Sequence, residues 1–369
     1  MHQLNIDCEG PITQNDNAFE LCEAFIPDGG SFFAIVSKYD DFLADVEKRK
    51  DYKAGDTLRL ILPFLKAHGV TDQQMEEFSE NTLVLLPGTD VMLPKVASSM
   101  PTFIISTSYK PYLEALCRAT GFPLENVYCT EVSLDAYEMD EEEAGRLREL
   151  AQEIAAMKMP EWPHDAEDLE DLEDADAEII RRLDEIFWSE IAQMSIGSMI
   201  REVNPIGGVE KANSVEDSLS RTGLSLSQVI YAGDSITDVQ ALDLVRQGGG
   251  TAISFNGNRY AIKSATWACL APNTAAIGAL SEFVEKRGEE ALREEAVRQG
   301  GMIGHQALLD LWADAEINSR YMEIMSGAAG ADGLGCRLHL VEMSNQEELI
   351  AESEAYRKGV RGIRVGNLG

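Results

Sequence analysis

Four short stretches of this sequence carry side chains suited to handling a phosphate beside a hard cation. Asp7-Cys8-Glu9-Gly10-Pro11-Ile12-Thr13 sets two acids at i and i+2 before a glycine, so one carboxylate can end a strand while the turn brings the second toward the same ligand. Ser106-Thr107-Ser108 offers a hydroxyl with following backbone N–H groups, a receptor for an anionic oxygen. Gly207-Gly208-Val209-Glu210-Lys211-Ala212-Asn213 opens a helix with a single lysine. Gly233-Asp234-Ser235-Ile236-Thr237-Asp238 places two acids four apart on a close glycine turn, where both can point at one cation. Taken singly, each has a plain reading as a strand-turn acid, a surface lysine or an N-capping aspartate. Gathered in one crevice, the acids would repel one another and hold their protons unless a divalent cation such as Mg²⁺ neutralised them. Such a site suits a dianionic phosphate next to a metal.

The elements that must position these residues follow from apolar patterning. Strand-like runs at 4–6, 102–106, 229–232 and 251–255 alternate with helical patterns at 111–120, 215–222 and 238–247. This alternation predicts an α/β fold with a doubly wound parallel sheet, whose ligand site lies at the carboxyl ends of the strands. All four stretches fall at such strand ends or at an adjacent helix start.

In that order the stretches resemble the four motifs of the haloacid dehalogenase superfamily, in particular its phosphoserine-phosphatase-like branch, over about residues 1–125 and 200–280. The resemblance implies a Rossmann-like core, an aspartyl-phosphate intermediate and Mg²⁺. It makes Asp7 the nucleophile, with its other oxygen and the Glu9 backbone carbonyl on the metal. It gives Ser106 and Thr107 to a phosphoryl oxygen and Lys211 to the charge on phosphate and Asp7. It makes Asp234 a metal ligand, with Asp238 supporting it. Two departures stand out: Glu9 occupies the place of the usual aspartate that serves as general acid and base, and Pro11 that of a threonine. Residues 15–86 resemble the helical cap of that branch, and Asp16 matches an acidic position that contacts the substrate amine there. Its cap arginine has no motif-level match, and Arg49 and Arg59 are the candidates.

The implied organisation is a core of residues 1–14, 87–130 and 200–282, the cap at 15–86, an acidic helical insert at 131–199 and a C-terminal extension at 283–369 without an assigned role. The chain has 64 Asp and Glu against 31 Lys and Arg, a net charge of −33, which argues against a nucleic-acid partner held through phosphates. Residues 135–190 hold 21 acids and 5 bases, a net of −16 in 56 residues, so about half the imbalance sits in the insert. Its apolar spacing, Leu147, Leu150, Ile154 and Met157 and then Ile179, Leu183, Ile186, Phe187 and Ile191, predicts a helical hairpin around a solvated acidic loop. That hairpin is also a candidate docking surface for a basic protein partner, and the C-terminal extension is expected to pack on the core or on a second copy. Six scattered cysteines without CxxC pairs predict free thiols rather than a zinc site, a disulfide framework or an iron–sulfur cluster. No apolar run is long enough to insert in a membrane, and a cytoplasmic location is expected. The opening DCEGPIT and the acidic insert further resemble an archaeal group of haloacid-dehalogenase-like proteins named for energy-converting hydrogenase A subunit R. Two functions compete on these grounds. One is a Mg²⁺-dependent phosphomonoester hydrolase acting on a small phosphorylated metabolite; the other is a catalytically weak binding or regulatory subunit, associated with a hydrogenase complex.

Overall fold

The computed structural model describes residues 1–163, 165–327, 335–362 and 366. Its centre is a sheet of eight strands, β1 (Gln3–Ile6), β2 (Thr102–Tyr109), β3 (Val127–Thr130), β4 (Val229–Gly233), β5 (Thr251–Phe255), β6 (Trp267–Leu270), β7 (Met302–Ile303) and β8 (Arg337–Leu340). They lie in the order β3-β2-β1-β4-β5-β6-β8-β7. The first six pair in parallel, with Ile6 opposite both Ile104 and Ala232. Chain progression runs outward in opposite directions from the β1–β4 contact, so the topological switch point lies there, where a crevice opens at the strand ends. Asp7 and Asp234 immediately follow the two strands that border it.

β1 reads Gln-Leu-Asn-Ile, and its pleat sends the two residue types to opposite faces. Leu4 and Ile6 enter the larger core with Ile104, Ile230, Phe255 and Trp267. Gln3 and Asn5, equally buried, meet the helix Val209–Thr222: Gln3 Nε2 and Asn5 Nδ2 donate to Ser218 Oγ at 2.8 and 2.9 Å, and Thr222 Oγ1 donates to Gln3 Oε1 at 2.7 Å. Lys211, Ser218 and Thr222 are spaced seven and four apart, so they share a helix face. This polar seam therefore sets the register that carries Lys211 to the end of β1.

The C-terminal segment, for which the sequence predicts a helical extension, also supplies sheet. β8 runs antiparallel to β6, with Leu338 opposite Cys269, and β7 runs antiparallel to β8. The helix Gln346–Arg361 then returns across the sheet, burying Leu349 and Tyr356 against Ile262, Ala268 and Leu270.

Residues of the expected cap and of the acidic insert share one apolar core. Phe32, Tyr39, Phe42, Leu60 and Phe64 pack with Leu147, Leu150, Ile154, Leu183, Ile186, Phe187 and Ile191. The insert's helices, Glu141–Ala155 and Asp174–Glu185, follow the expected periodicity up to Ile154, with Ile180 rather than Ile179 facing inward. Polar contacts reinforce the join: Arg49 pairs with Asp184 at 2.8 Å, and Trp188 Nε1 donates to Tyr39 Oη at 2.8 Å. The acidic loop is anchored as well, since Trp162 meets the Phe42 ring edge-on at 5.4 Å; His164 lies outside the described residues. Among the described residues all six cysteines are free, and no helix is long and apolar enough to cross a membrane.

Candidate functional site

The chain turns sharply after β1. Ile12 and Thr13 donate N–H to the Cys8 carbonyl, and Gly10 N–H donates to Thr13 O at 2.9 Å. Asp7 Oδ1 accepts the Cys8 N–H at 2.7 Å, which fixes the carboxylate plane. After β4 the carboxylate of Asp238 folds back, and its Oδ2 accepts the N–H groups of Asp234 and Ser235 at 3.0 and 3.1 Å. Two glycines make these turns possible. A Cβ on Gly10, whose φ is +103°, would fall 2.2 Å from Asp234 Oδ2, and one on Gly233 would fall 2.3 Å from Asp238 Cγ.

Between the two turns stands Lys211, completely buried. Its Nζ lies 2.7 Å from Asp7 Oδ2 and 2.8 Å from Asp238 Oδ1, and Asp238 Oδ1 also accepts the Tyr231 hydroxyl at 2.7 Å. Burial lowers the lysine's proton affinity, but Asp238 and Asp7 outweigh it and hold the ammonium charged. Asp7 is pushed up to about 8 by burial and by the charge of Asp238, against the pull of Lys211. Burial acts the same way on Asp238, yet Lys211, Tyr231 and the turn amides keep it below the ordinary carboxylate range. One lysine is thus too little positive charge for the carboxylates around it.

Asp7, Asp234 and Asp238 each present an oxygen within 4.8 Å of the others. Oxygen donors at this spacing, on turns where glycine makes room for the carboxylates, fit a hard divalent cation such as Mg²⁺. Within the trio, Asp238 is the most heavily engaged, with Lys211 and Tyr231 on Oδ1 and the amides of Asp234 and Ser235 on Oδ2. Glu9, expected to offer the metal its backbone carbonyl, turns its carboxylate elsewhere: Oε1 accepts the Asn17 N–H at 2.7 Å. The extra methylene thereby finds the N-terminus of the helix Asn17–Phe25. Burial and the nearby Asp16 hold Glu9 well above the usual glutamate value.

Asp7, Glu9 and Asp234 line one pocket of about 100 Å³ together with Asp16, Ser106 and Thr107, while Lys211 and Asp238 stand behind its wall. Ser106 is buried within β2, which runs on to Tyr109 instead of ending at residue 106 as expected; it lies where the register with β3 shifts between Ile105 and Tyr109, and its Oγ accepts the Ser108 N–H at 3.2 Å. The Thr107 hydroxyl donates to Ile206 O at 3.0 Å and is thereby engaged within the protein. Asp16 caps the helix Asn17–Phe25 by accepting the Phe19 N–H at 3.0 Å and faces the same pocket. The helical body closes the far wall with Phe33, Ser37, Asp40, Asp41 and Leu58. Neither expected cap arginine is there: Arg49 is drawn to Asp184 and Glu47, and Arg59 to Asp56 and the Ile200 carbonyl.

Two arginines that sequence reasoning passed over take that place from the other side. Arg357 and Arg361, on the C-terminal helix, both reach Asp234 Oδ2, with Arg361 Nη1 at 3.0 Å. Their i, i+4 spacing in an acid-rich chain was the available signal. It is a weak one, because such pairs ordinarily face solvent.

With this geometry in place, residues 112–279 match the family model of the haloacid dehalogenase-like hydrolases. That stretch is of the haloacid dehalogenase superfamily. The α/β sheet with its switch-point crevice is the superfamily's Rossmann-like core, and its members are hydrolases by description. A gene product of Archaeoglobus fulgidus of known structure is similar over 100% of this chain and 99% of its own, at 26% identity and a TM-score of 0.76. Apo phosphoserine phosphatase is a looser likeness, covering 72% of this chain and 90% of its own at 8% identity and a TM-score of 0.38, and it carries no argument about the site. No curated protein matches the sequence.

Proposed function

We propose that this haloacid dehalogenase-type protein is a Mg²⁺-dependent phosphomonoester hydrolase for a small phosphorylated metabolite. The observation that carries the reading is the buried Asp7–Lys211 pair, 2.7 Å apart, whose Asp7 lines a pocket together with Ser106, Thr107, Glu9 and Asp234. When bound between Asp7 and Asp234, a Mg²⁺ supplies positive charge that keeps Asp7 ionised and screens the phosphate. Everything else is done by the chain. Asp7 attacks phosphorus and forms an aspartyl phosphate, dividing hydrolysis into two easier steps. Lys211 stays charged beside the equatorial oxygens, where Ser106 adds a hydrogen bond. Glu9, whose hold on its proton burial strengthens, gives that proton to the leaving oxygen and takes one from water in the second step. Asp16, at the pocket wall, contacts the organic part of the substrate. A pocket of about 100 Å³ suits a phosphate with a small substituent.

The test is phosphate release from an aryl phosphate and from a panel of small phosphomonoesters with and without Mg²⁺. Asp7→Asn should abolish turnover while leaving the fold intact by circular dichroism. Equal rates in the wild type and Asp7→Asn would refute the assignment.

A further inference from the structure

We infer that Arg357 and Arg361 form a tethered counter-ion on Asp234 that a divalent cation must displace, so that the C-terminal helix and the cation compete for one carboxylate. This rests on the cation site proposed above. The geometry is specific. Both guanidinium groups converge on Asp234 Oδ2, the oxygen beneath which Gly10 has no Cβ, and Arg357 Nη1 also donates to the Asp234 backbone carbonyl at 3.1 Å. The three side chains are buried to within 5% of full exclusion from solvent, so these are not surface ion pairs with mobile ends. Arg361 additionally donates to the Gln14 carbonyl at 3.2 Å and to the Asn15 carbonyl. Ser353, Arg357 and Arg361 follow one another at four-residue intervals on one helix face, and the Ser353 hydroxyl donates to Gly257 O at 2.6 Å. Tyr356 fixes the helix independently through its hydroxyl on Gly335 O at 2.6 Å. The helix is therefore anchored by contacts that do not involve Asp234, and only its arginines need to shift.

Charge counting gives the consequence. With Asp7 ionised, as a cation ligand must be, the carboxylates of Asp7, Asp234 and Asp238 are matched by Lys211, Arg357 and Arg361. A cation arriving alone creates an excess of two positive charges within a few ångströms, which is unfavourable in a buried crevice. A cation arriving with a dianionic phosphate restores neutrality, and the guanidinium groups released from Asp234 then face an anion. The arginine pair thus weakens binding of the bare cation and couples cation to phosphate, and the coupling must act equally in both directions.

The experiment is titration of the full-length protein with Mn²⁺, followed by calorimetry and electron paramagnetic resonance, with and without inorganic phosphate. Arg357→Gln, Arg361→Gln and the double variant should each bind Mn²⁺ alone more tightly than the wild type, by about tenfold or more in the double variant. The enhancement of Mn²⁺ affinity by phosphate should shrink by a similar factor. In the wild type, hydrogen exchange at the end of the helix Gln346–Arg361 should speed up when Mn²⁺ binds, a readout that needs no substitution. Asp234→Asn locates the ion. If it binds Mn²⁺ as the wild type does, the cation is elsewhere and both this inference and the hydrolase reading fall. If Asp234→Asn loses Mn²⁺ but the arginine variants gain no affinity and the helix end does not loosen, the counter-ion inference alone is overturned.

Discussion

Replacing Lys211 with methionine isolates the electrostatics of the site. Methionine keeps most of the buried aliphatic stem but removes a charge 2.7 Å from Asp7 and 2.8 Å from Asp238. At an effective dielectric constant of about 20, each of those contacts has a gross Coulomb energy of about 6 kcal/mol, most of it offset by desolvation. Removing one partner of such a buried cluster destabilises by about 3–5 kcal/mol, because the remaining charges stay buried without compensation. The pH dependence follows from the Asp7 titration. Its native value, about 8, lies above the 3.8 of a free aspartate, so between those values the native state binds a proton that the unfolded chain has released. Stability accordingly falls as pH rises through that window, and without Lys211 the window extends further upward. Denaturant unfolding without divalent ions should show a Lys211→Met deficit of about 3–5 kcal/mol at pH 8 and a clearly smaller one at pH 5, where Asp7 can hold its proton. Turnover of an aryl phosphate should fall by about 100-fold or more, as happens when an electrostatic stabiliser of the transition state is removed. Activity within a few-fold of wild type, or the same deficit at both pH values, would refute this account of the site.

Three further outcomes are expected. Gly10→Ala should destabilise by about 1–2 kcal/mol from its positive φ, with about 1–3 kcal/mol more from the contact with Asp234; it should also weaken Mn²⁺ binding by calorimetry, and normal affinity would show that Asp234 is not seated as described. Glu9→Gln should lower kcat by about 100-fold and erase the alkaline fall of the kcat/KM profile, which in the wild type reports loss of the Glu9 proton; a profile unchanged in shape would remove Glu9 from acid–base work. Leu338→Ala, at a fully buried position of β8, should lower the unfolding free energy of the whole protein by about 2–5 kcal/mol in one transition, whereas an early separate transition would show that the C-terminal segment folds apart.

β2, β4 and β5 were legible in the sequence because each is a largely apolar run closed by a turn, the mark of a strand covered on both faces, and β1 because Leu4 and Ile6 alternate with polar residues just before the Asp7 turn. β3 escaped notice because three of its four residues are only partly buried at the sheet edge, and β7 and β8 because they are two and four residues long. The short β6, Trp-Ala-Cys-Leu, is recognisable only once β5 and β8 hold it from both sides. The merging of cap and insert into one helical body was also illegible, because periodicity shows that a helix has an apolar face but not which partner covers it.

What the sequence by itself determined is the chemistry available at the strand ends. Asp7, Ser106, Lys211, Asp234 and Asp238 sit within a few residues of strand tips or helix starts, and local turns with Gly10 and Gly233 set their directions. The tertiary structure alone decided how charge is balanced around them. Glu9 found a helix N-terminus, and Arg49 and Arg59 were captured by acids of the helical body. Arg357 and Arg361 came more than a hundred residues in sequence to Asp234 because β8 docks the chain on β6 and turns its last helix back over the sheet. Local geometry is written in neighbouring residues, whereas the partner of a buried charge is chosen by whichever distant element the packing brings within reach.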